Sequence, residues 1–229
     1  MNPPRGDGVD QRAFKDRVYS SFAEIAKGLA SPKRVELVEL LCQADRAVEW
    51  LATATGMSVA NTSQHLQVLR GARLVESRRD GSHVIYRIAS PAVSRLFLEL
   101  RRTAEDRDGE IERVVRAYFD DRAGLEPVPM GDLLGRLERG EVVVVDVRPR
   151  EEFATAHIAG AIGAPLDELP VAAEQLPADR VVVAYCRGPY CVLADEAVRY
   201  LRSRGFDARR LDAGLPEWRD AGLPTAAGD

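Results

Sequence analysis

Cysteine is scarce in this chain: Cys42, Cys186 and Cys191 are the only three in 229 residues. Three are too few for a disulfide scaffold. Free thiols are expected instead, and the close pair at 186 and 191 points to chemistry rather than stapling. Long apolar runs are absent as well. No stretch approaches the ~20 consecutive apolar residues that a membrane-crossing helix needs, so no membrane partner is expected. The first ten residues are polar and include Pro3, Pro4, Gly6 and Gly8. They read as neither a secretory leader nor regular structure; residues 1–11 are expected to be disordered and the compartment cytoplasmic.

What is present suits two ordinary domains, each long enough to bury its own core. The net charge of −4 is divided unevenly. Residues 1–120 carry 19 Lys/Arg against 17 Asp/Glu, and the remainder carry 13 against 19. Within the first half, Met57 to Ile88 holds five arginines against Glu76 and Asp80, a local positive patch where a nucleic acid could sit.

The first half has helical periods. Phe14, Val18, Phe22, Ile25 and Leu29 recur at spacings of three and four, which predicts an amphipathic helix over Arg12 to Leu29. Ser31-Pro32 starts the next helix, which carries Leu37, Val38, Leu40 and Leu41. A short helix over Val48 to Thr55 closes at Gly56, and Ser58 caps another. The period then changes to strand-like runs, Leu74–Arg79 and Ser82–Ile88, joined through Asp80-Gly81. After Ser90-Pro91 a helical region extends to about Phe119. Its charged middle, Glu105 to Glu110 with Gly109, leaves open one interrupted helix or two. A linker is expected over residues 120–128. Beyond it, the apolar runs Val142–Val145 and Val181–Ala184 read as buried strands of a parallel sheet. A helix over Val192 to Gly205 and a third strand over Ala208 to Leu211 complete an α/β pattern. The predicted fold is a mainly α winged helix-turn-helix over residues 12–119, followed by an α/β domain over 129–225.

In that order of elements, Ser58 to Arg70 would lie in a DNA major groove. Ser58, Asn61, Thr62, Ser63, Gln64, His65 and Gln67 would offer donors and acceptors, with Arg70 at the end. Arg78, Arg79, Ser82 and His83 would form the wing and meet phosphates or a minor groove. The text Ala30-Ser31-Pro32-Lys33-Arg34, Asn61 to Arg70, Leu74 to Gly81 and Val84 to Ile88 resembles the ArsR/SmtB family of dimeric repressors. That resemblance implies homodimers on double-stranded operator DNA. One departure is Arg73, where the family usually has glycine, so the turn there is expected to differ. Many members of the family sense metals through a cysteine pair before the turn or through histidines on the last helix. Here Ala47 to Ala52 has no cysteine and Arg101 to Phe119 no histidine. His65 suits helix packing or a phosphate contact better than a metal, and Cys42 suits the core. No metal site and no cofactor are expected.

The loop Cys186-Arg187-Gly188-Pro189-Tyr190-Cys191 lies between a predicted strand and a predicted helix. Backbone N–H groups there, the positive helix end and Arg187 would favour a thiolate at Cys186. The match with Val145-Asp146-Val147-Arg148, Glu151-Glu152-Phe153, His157 to Ile162 and Leu211 to Trp218 resembles the rhodanese family of sulfurtransferases. The resemblance implies that Cys186 is the sulfur-accepting nucleophile and Arg187 to Cys191 its anion-binding loop. Asp146, Arg148, Glu152 and His157 would support the fold around it. A phosphatase of similar loop would need an arginine six residues after the nucleophile; Val192 stands there. Cys191 reads either as a resolving thiol or as a small buried loop residue. The expected function is a repressor whose operator affinity responds to a small sulfur donor or oxidant. An active sulfurtransferase with an attached DNA-binding domain, or an inert interaction module behind a repressor, are the alternatives.

Overall fold

A computed structural model describes residues 10–119, 125 and 127–228. Most of the expected N-terminal segment and most of the expected linker lie outside the described residues. The chain divides into two compact units, residues 1–41 with 45–93, and residues 42–44 with 94–229.

The first unit begins with α1 (Gln11–Leu29), α2 (Pro32–Gln43), the two-residue β1 (Arg46–Ala47) and α3 (Val48–Thr55). Then come α4 (Val59–Gly71), β2 (Val75–Asp80) and β3 (His83–Ile88). α3 ends as its sequence dictates, with Gly56 in the left-handed conformation at φ +65°. The Ser58 hydroxyl caps α4 by accepting from the Asn61 N–H at 3.2 Å. β2 and β3 pair antiparallel down to Asp80 opposite His83, which makes Gly81-Ser82 the hairpin loop, with Gly81 at φ +59°. The expected Asp80-Gly81 turn is thus shifted by one residue. β1 joins β3 on its other edge. Leu37, Leu51, Leu66 and Leu69 are fully buried in this unit.

α1 begins one residue before its predicted start, and most of its apolar face is exposed: Phe14 and Phe22 are 57% and 61% exposed. Only its end is packed. A Cβ at Gly28 would approach the Ala72 Cβ to 2.6 Å, so glycine is what lets α1 sit against the segment after α4.

The helical region after Pro91 is two helices, α5 (Pro91–Arg107) and α6 (Gly109–Tyr118). Asp108 separates them, its side chain capping α6 through the Glu110 N–H at 3.0 Å. In the second unit follow β4 (Pro127–Val128), α7 (Met130–Glu138), β5 (Val142–Asp146), α8 (Arg150–Thr155), β6 (His157–Ile158) and β7 (Ile162–Gly163). α9 (Leu169–Ala173), β8 (Val181–Tyr185), α10 (Leu193–Ser203), β9 (Ala208–Leu211), α11 (Leu215–Asp220) and β10 (Thr225–Ala226) complete it.

The main sheet runs β4-β9-β8-β5-β7 with every pairing parallel. β5 and β8 lie inside it, which is why both read as unbroken apolar runs. Their side chains alternate between two cores. Val145, Val182 and Ala184 join Leu169, Val198 and Leu201 on one face. Val142, Val144 and Val183 join Leu133, Leu215 and Trp218 on the other. Cys186, one residue beyond β8, falls on the face covered by α9 and α10.

Candidate functional sites

On α4, Asn61, Gln64, Gln67 and Arg70 are exposed, while Ser63 and His65 are half-buried. Thr62 is corrected from a base-contact candidate to a packing residue. It is fully buried, and its hydroxyl donates to the Ser58 carbonyl at 3.0 Å. Period-3.6 geometry turns that position inward with Leu66 and Leu69. The Gln67 amide donates to the Tyr86 hydroxyl at 3.3 Å, tying α4 to the wing. A groove of about 430 Å³ between them is lined by Ser63, Gln67, Arg70, Arg78, Arg79 and Tyr86. At the wing tip Ser82 is exposed, Arg78 pairs with Asp80 at 3.0 Å, and His83 lies 3.5 Å from Glu49.

Arg73 sits at φ +58°, the only non-glycine with positive φ among the described residues. The turn is therefore the left-handed one that glycine adopts freely, taken here by an arginine at some cost. No different turn is needed.

The second unit holds the thiols. Cys186 follows β8 and is 4% exposed, whereas Cys191, just before α10, is half-buried. The Cys186 Sγ lies 3.8 Å from the Gly188 carbonyl and 3.6 Å from that of Cys191. The two thiols also hydrogen-bond each other, and this sets their acidity. Donation from Cys186 pulls Cys191 down to about 6; burial opposes this, and the Leu193 and Arg187 N–H groups and the Arg187 charge assist it. In return the same hydrogen bond, with burial, pushes Cys186 well above its ordinary value. Against that, the Gly188 and Ala194 N–H groups favour the expected thiolate at Cys186, so the two thiols titrate as a pair.

A buried ionic network holds the loop from below. Arg148, fully buried, donates from Nε and Nη2 to Asp146 at 2.9 and 2.6 Å and from Nη2 to the Ala156 carbonyl at 2.8 Å. Burial would lower the Arg148 pKa, but its hydrogen bonds to Asp146 and that carboxylate's charge outweigh it and keep the guanidinium charged. The Tyr185 hydroxyl donates to Asp146 and is pushed upward by burial and by that carboxylate. Glu152 on α8 grips Arg187 with contacts of 3.0 Å at Nε and 2.7 Å at Nη2. His157 stacks on Phe153 with ring centroids 3.8 Å apart and contacts the Phe153 carbonyl through Nδ1 at 2.9 Å. Among the described residues, no group of three or more His, Cys, Asp or Glu side chains is arranged to hold a metal ion.

Comparison with known proteins matches both halves. The model of the bacterial regulatory protein arsR family matches residues 31–77, and that of the rhodanese-like domain matches residues 130–221. The HTH-type transcriptional regulator Rv0324 of Mycobacterium tuberculosis is 43% identical over 214 residues, covering 93% of this chain and 94% of that protein. The chain belongs to the ArsR family of transcriptional regulators and carries a C-terminal rhodanese-like domain.

A sulfurtransferase of Allochromatium vinosum is 33% identical over 88 residues, 38% of this chain and 80% of that one. A solution structure of the homodimeric winged helix-turn-helix DNA-binding domain of a possible ArsR-family regulator from Mycobacterium bovis shares 38% identity. It covers 46% of this chain and 95% of that one, with a TM-score of 0.42.

Three residues around the loop of this ArsR-family regulator were not legible as site residues. A Cβ at Gly214 would stand 2.3 Å from the Arg187 carbonyl oxygen and 2.8 Å from the Gly188 nitrogen, so the loop rests directly on that glycine. Glu217 accepts from the Gly214 N–H at 3.0 Å and pairs with Arg101 at 2.6 Å. Gln43, a member of the same unit, donates to the Arg187 carbonyl at 3.0 Å and accepts from Arg148 at 3.2 Å. The stretch Ala213-Gly214-Leu215-Pro216-Glu217-Trp218 held the signal for the first two. Gln43 lies 144 residues from its partner, and no local pattern marks it.

Proposed function

We propose that this ArsR-family regulator is a cytoplasmic homodimeric repressor whose affinity for double-stranded operator DNA falls when sulfane sulfur, or another thiol oxidant, modifies the Cys186 loop. Residues 12–119 would bind DNA and dimerise; Pro127 and Val128, expected in the linker, form β4 of the main sheet instead, so the sensing domain would begin there. The observation that carries the reading is the placing of Cys186 and Cys191 in one short loop between β8 and α10, with the Cys186 Sγ 3.6 Å from the Cys191 carbonyl and the loop's Arg187 gripped by Glu152. Such a pair is poised to become a persulfide or a disulfide. Ser58, Asn61, Ser63, Gln64, Gln67 and Arg70 would face bases or the adjacent backbone, and Arg78, Arg79, Ser82 and His83 would hold phosphates. Helices α2 and α5 each contribute residues to both compact units, which gives a loop change a continuous path along the chain.

A hundredfold loss of affinity corresponds to about 2.7 kcal/mol of difference between modified and unmodified states. An operator titration with and without polysulfide, on wild type and Cys186→Ser, tests the reading. Loss of binding in wild type and its persistence in Cys186→Ser is the expected result. Wild type that gains sulfur yet binds DNA equally well would refute it. A second reading, a working sulfurtransferase with an attached DNA-binding domain, is favoured by the likeness to the Allochromatium vinosum sulfurtransferase. Sustained turnover with thiosulfate or a persulfide donor would support that one.

A further inference from the structure

The loop from Cys186 to Cys191 is held by side chains that its own domain does not supply. Gln43, Arg101 and Glu105 lie outside residues 130–221, which match the rhodanese-like domain, yet they share a compact unit with the loop. Gln43, the last residue of α2 and 1% exposed, donates to the Arg187 carbonyl at 3.0 Å. The Tyr190 hydroxyl donates to the Glu105 carboxylate on α5 at 2.5 Å, a charge-assisted bond. Arg101 pairs with Glu217 at 2.6 Å, and its Nη1 stands 3.6 Å from where a Gly188 Cβ would be. Leu98, Arg101 and Glu105 fall on one face of α5 by their spacing of three and four, and Leu98 is fully buried. Arg102 adds an ion pair to Asp220 at 3.3 Å.

Sulfur added at Cys186 needs room. The thiol is 4% exposed, and its Sγ already faces carbonyl oxygens of Gly188 and Cys191 at 3.8 and 3.6 Å. An S–S bond of about 2 Å reaches into the space those carbonyls occupy. The loop backbone must shift to admit it. It cannot sink toward Gly214, where a Cβ would already stand 2.3 Å from the Arg187 carbonyl oxygen. The contacts left to yield are the side-chain ones, to Gln43 and Glu105.

We propose that Glu105 on α5, with Gln43 on α2, reads the state of the loop. Sulfur at Cys186 breaks their hydrogen bonds to Tyr190 and Arg187, and the two helices pass the change on to operator binding. This rests on the sulfur-responsive reading and adds the residues that transmit it. The donor class is an inorganic polysulfide. The Cys186 thiolate attacks a terminal sulfur of the dianion; one S–S bond forms and another breaks. The products are Cys186–S–S⁻ and a dianion one sulfur shorter. Both helices run into the unit that holds α4 and the wing, α2 through its residues up to 41 and α5 through its first turn. The unmodified contacts favour the operator-binding state, so losing them, by sulfur or by substitution, lowers operator affinity.

The experiment measures operator affinity of full-length wild type, Glu105→Ala and Glu105→Gln, each before and after sodium polysulfide. Mass spectrometry counts the sulfur on Cys186, and thermal melting confirms that each variant is folded. Wild type is expected to lose about a hundredfold in affinity. Glu105→Ala, carrying the same sulfur, is expected to bind operator more weakly beforehand and to respond roughly tenfold less, the effect of one charge-assisted hydrogen bond. Glu105→Gln, which still accepts from Tyr190, should keep most of the wild-type response. A Glu105→Ala protein that responds as fully as wild type overturns the readout while leaving the sulfur reading intact. Wild type that gains sulfur and keeps its affinity overturns the sulfur reading, and the readout with it. A measurement free of substitution is hydrogen exchange on wild type, where polysulfide should raise exchange about fivefold or more in residues 94–107. Unchanged exchange there in protein that has gained sulfur counts against the proposal.

Discussion

Single positions in this chain carry strain or closeness that their neighbours explain. Arg73 holds a left-handed backbone without being glycine, a conformation that costs an L-residue roughly 1–2 kcal/mol. Arg73→Gly relieves that cost but enlarges the freedom of the unfolded chain. The net gain expected is about 0.5–1 kcal/mol in chemical denaturation, and Arg73→Ala, which stays strained, should give none. Gly214 shows the opposite pressure. Its φ of −108° suits any residue, yet a methyl there has no room against the Arg187–Gly188 backbone. Gly214→Ala should therefore cost about 1–3 kcal/mol and slow the reaction of the loop with polysulfide. Unchanged reactivity would mean that the loop does not depend on this seat. The thiol pair makes a pH prediction. With Cys191 pulled down to about 6, alkylation of wild type should fall about tenfold per unit below pH 6 and level off above it. Cys186→Ala removes the donor, so the midpoint should move upward toward that of an ordinary thiol. A midpoint that stays near 6 would show that the backbone, and not Cys186, lowers it.

At the scale of elements, the proposed repressor divides the work of reading DNA between α4 and the wing. Exposed Gln64 and Gln67 stand where base edges would lie, while Arg78 and Arg79 stand on the wing. Gln64→Ala with Gln67→Ala should erase preference for the operator over random DNA. Arg78→Ala with Arg79→Ala should weaken both and reduce the salt slope by roughly one per lost phosphate contact. Persistent operator preference in the glutamine pair would displace α4 from the groove. Elements with a clear period were legible: α1 by its three-and-four spacing, β5 and β8 by their unbroken valines, and the Gly56 stop by its chemistry. β4, β6, β7 and β10 were not, because a two-residue strand has no period to detect. Thr62 was misplaced because residue type was weighed before helical phase. The side that α4 buries, set by Leu66 and Leu69, already pointed Thr62 inward. Strand–loop–helix geometry suggests N–H donors near Cys186, and Gly188 and Ala194 supply them; the carbonyls that also face its sulfur were not legible, because the loop's own path decides them.

For the whole molecule, the question is what covers α1. Phe14, Tyr19, Phe22 and Ile25 are all at least 40% exposed on one nineteen-residue helix, an uncommon amount of apolar surface for a helix left to itself. A second copy of the chain is the occupant consistent with a repressor that reads paired half-sites. In a twofold dimer each phenylalanine is buried twice. Even a gain of about 1 kcal/mol per ring gives about 4 kcal/mol for Phe14 and Phe22 together, roughly a thousandfold in the dimer constant. Phe14→Glu with Phe22→Glu should thus give monomers at micromolar concentration by sedimentation, with the helical signal of the folded chain retained. Operator affinity should fall steeply in the same protein, because a lone half-site contact forfeits the second. The Cys186–Cys191 chemistry should survive unchanged, since it lies within one chain. A double variant that sediments as a dimer would move the dimer contact elsewhere. A monomer that still binds the operator tightly would instead separate DNA reading from dimerisation, and with it the symmetry on which the repressor reading depends.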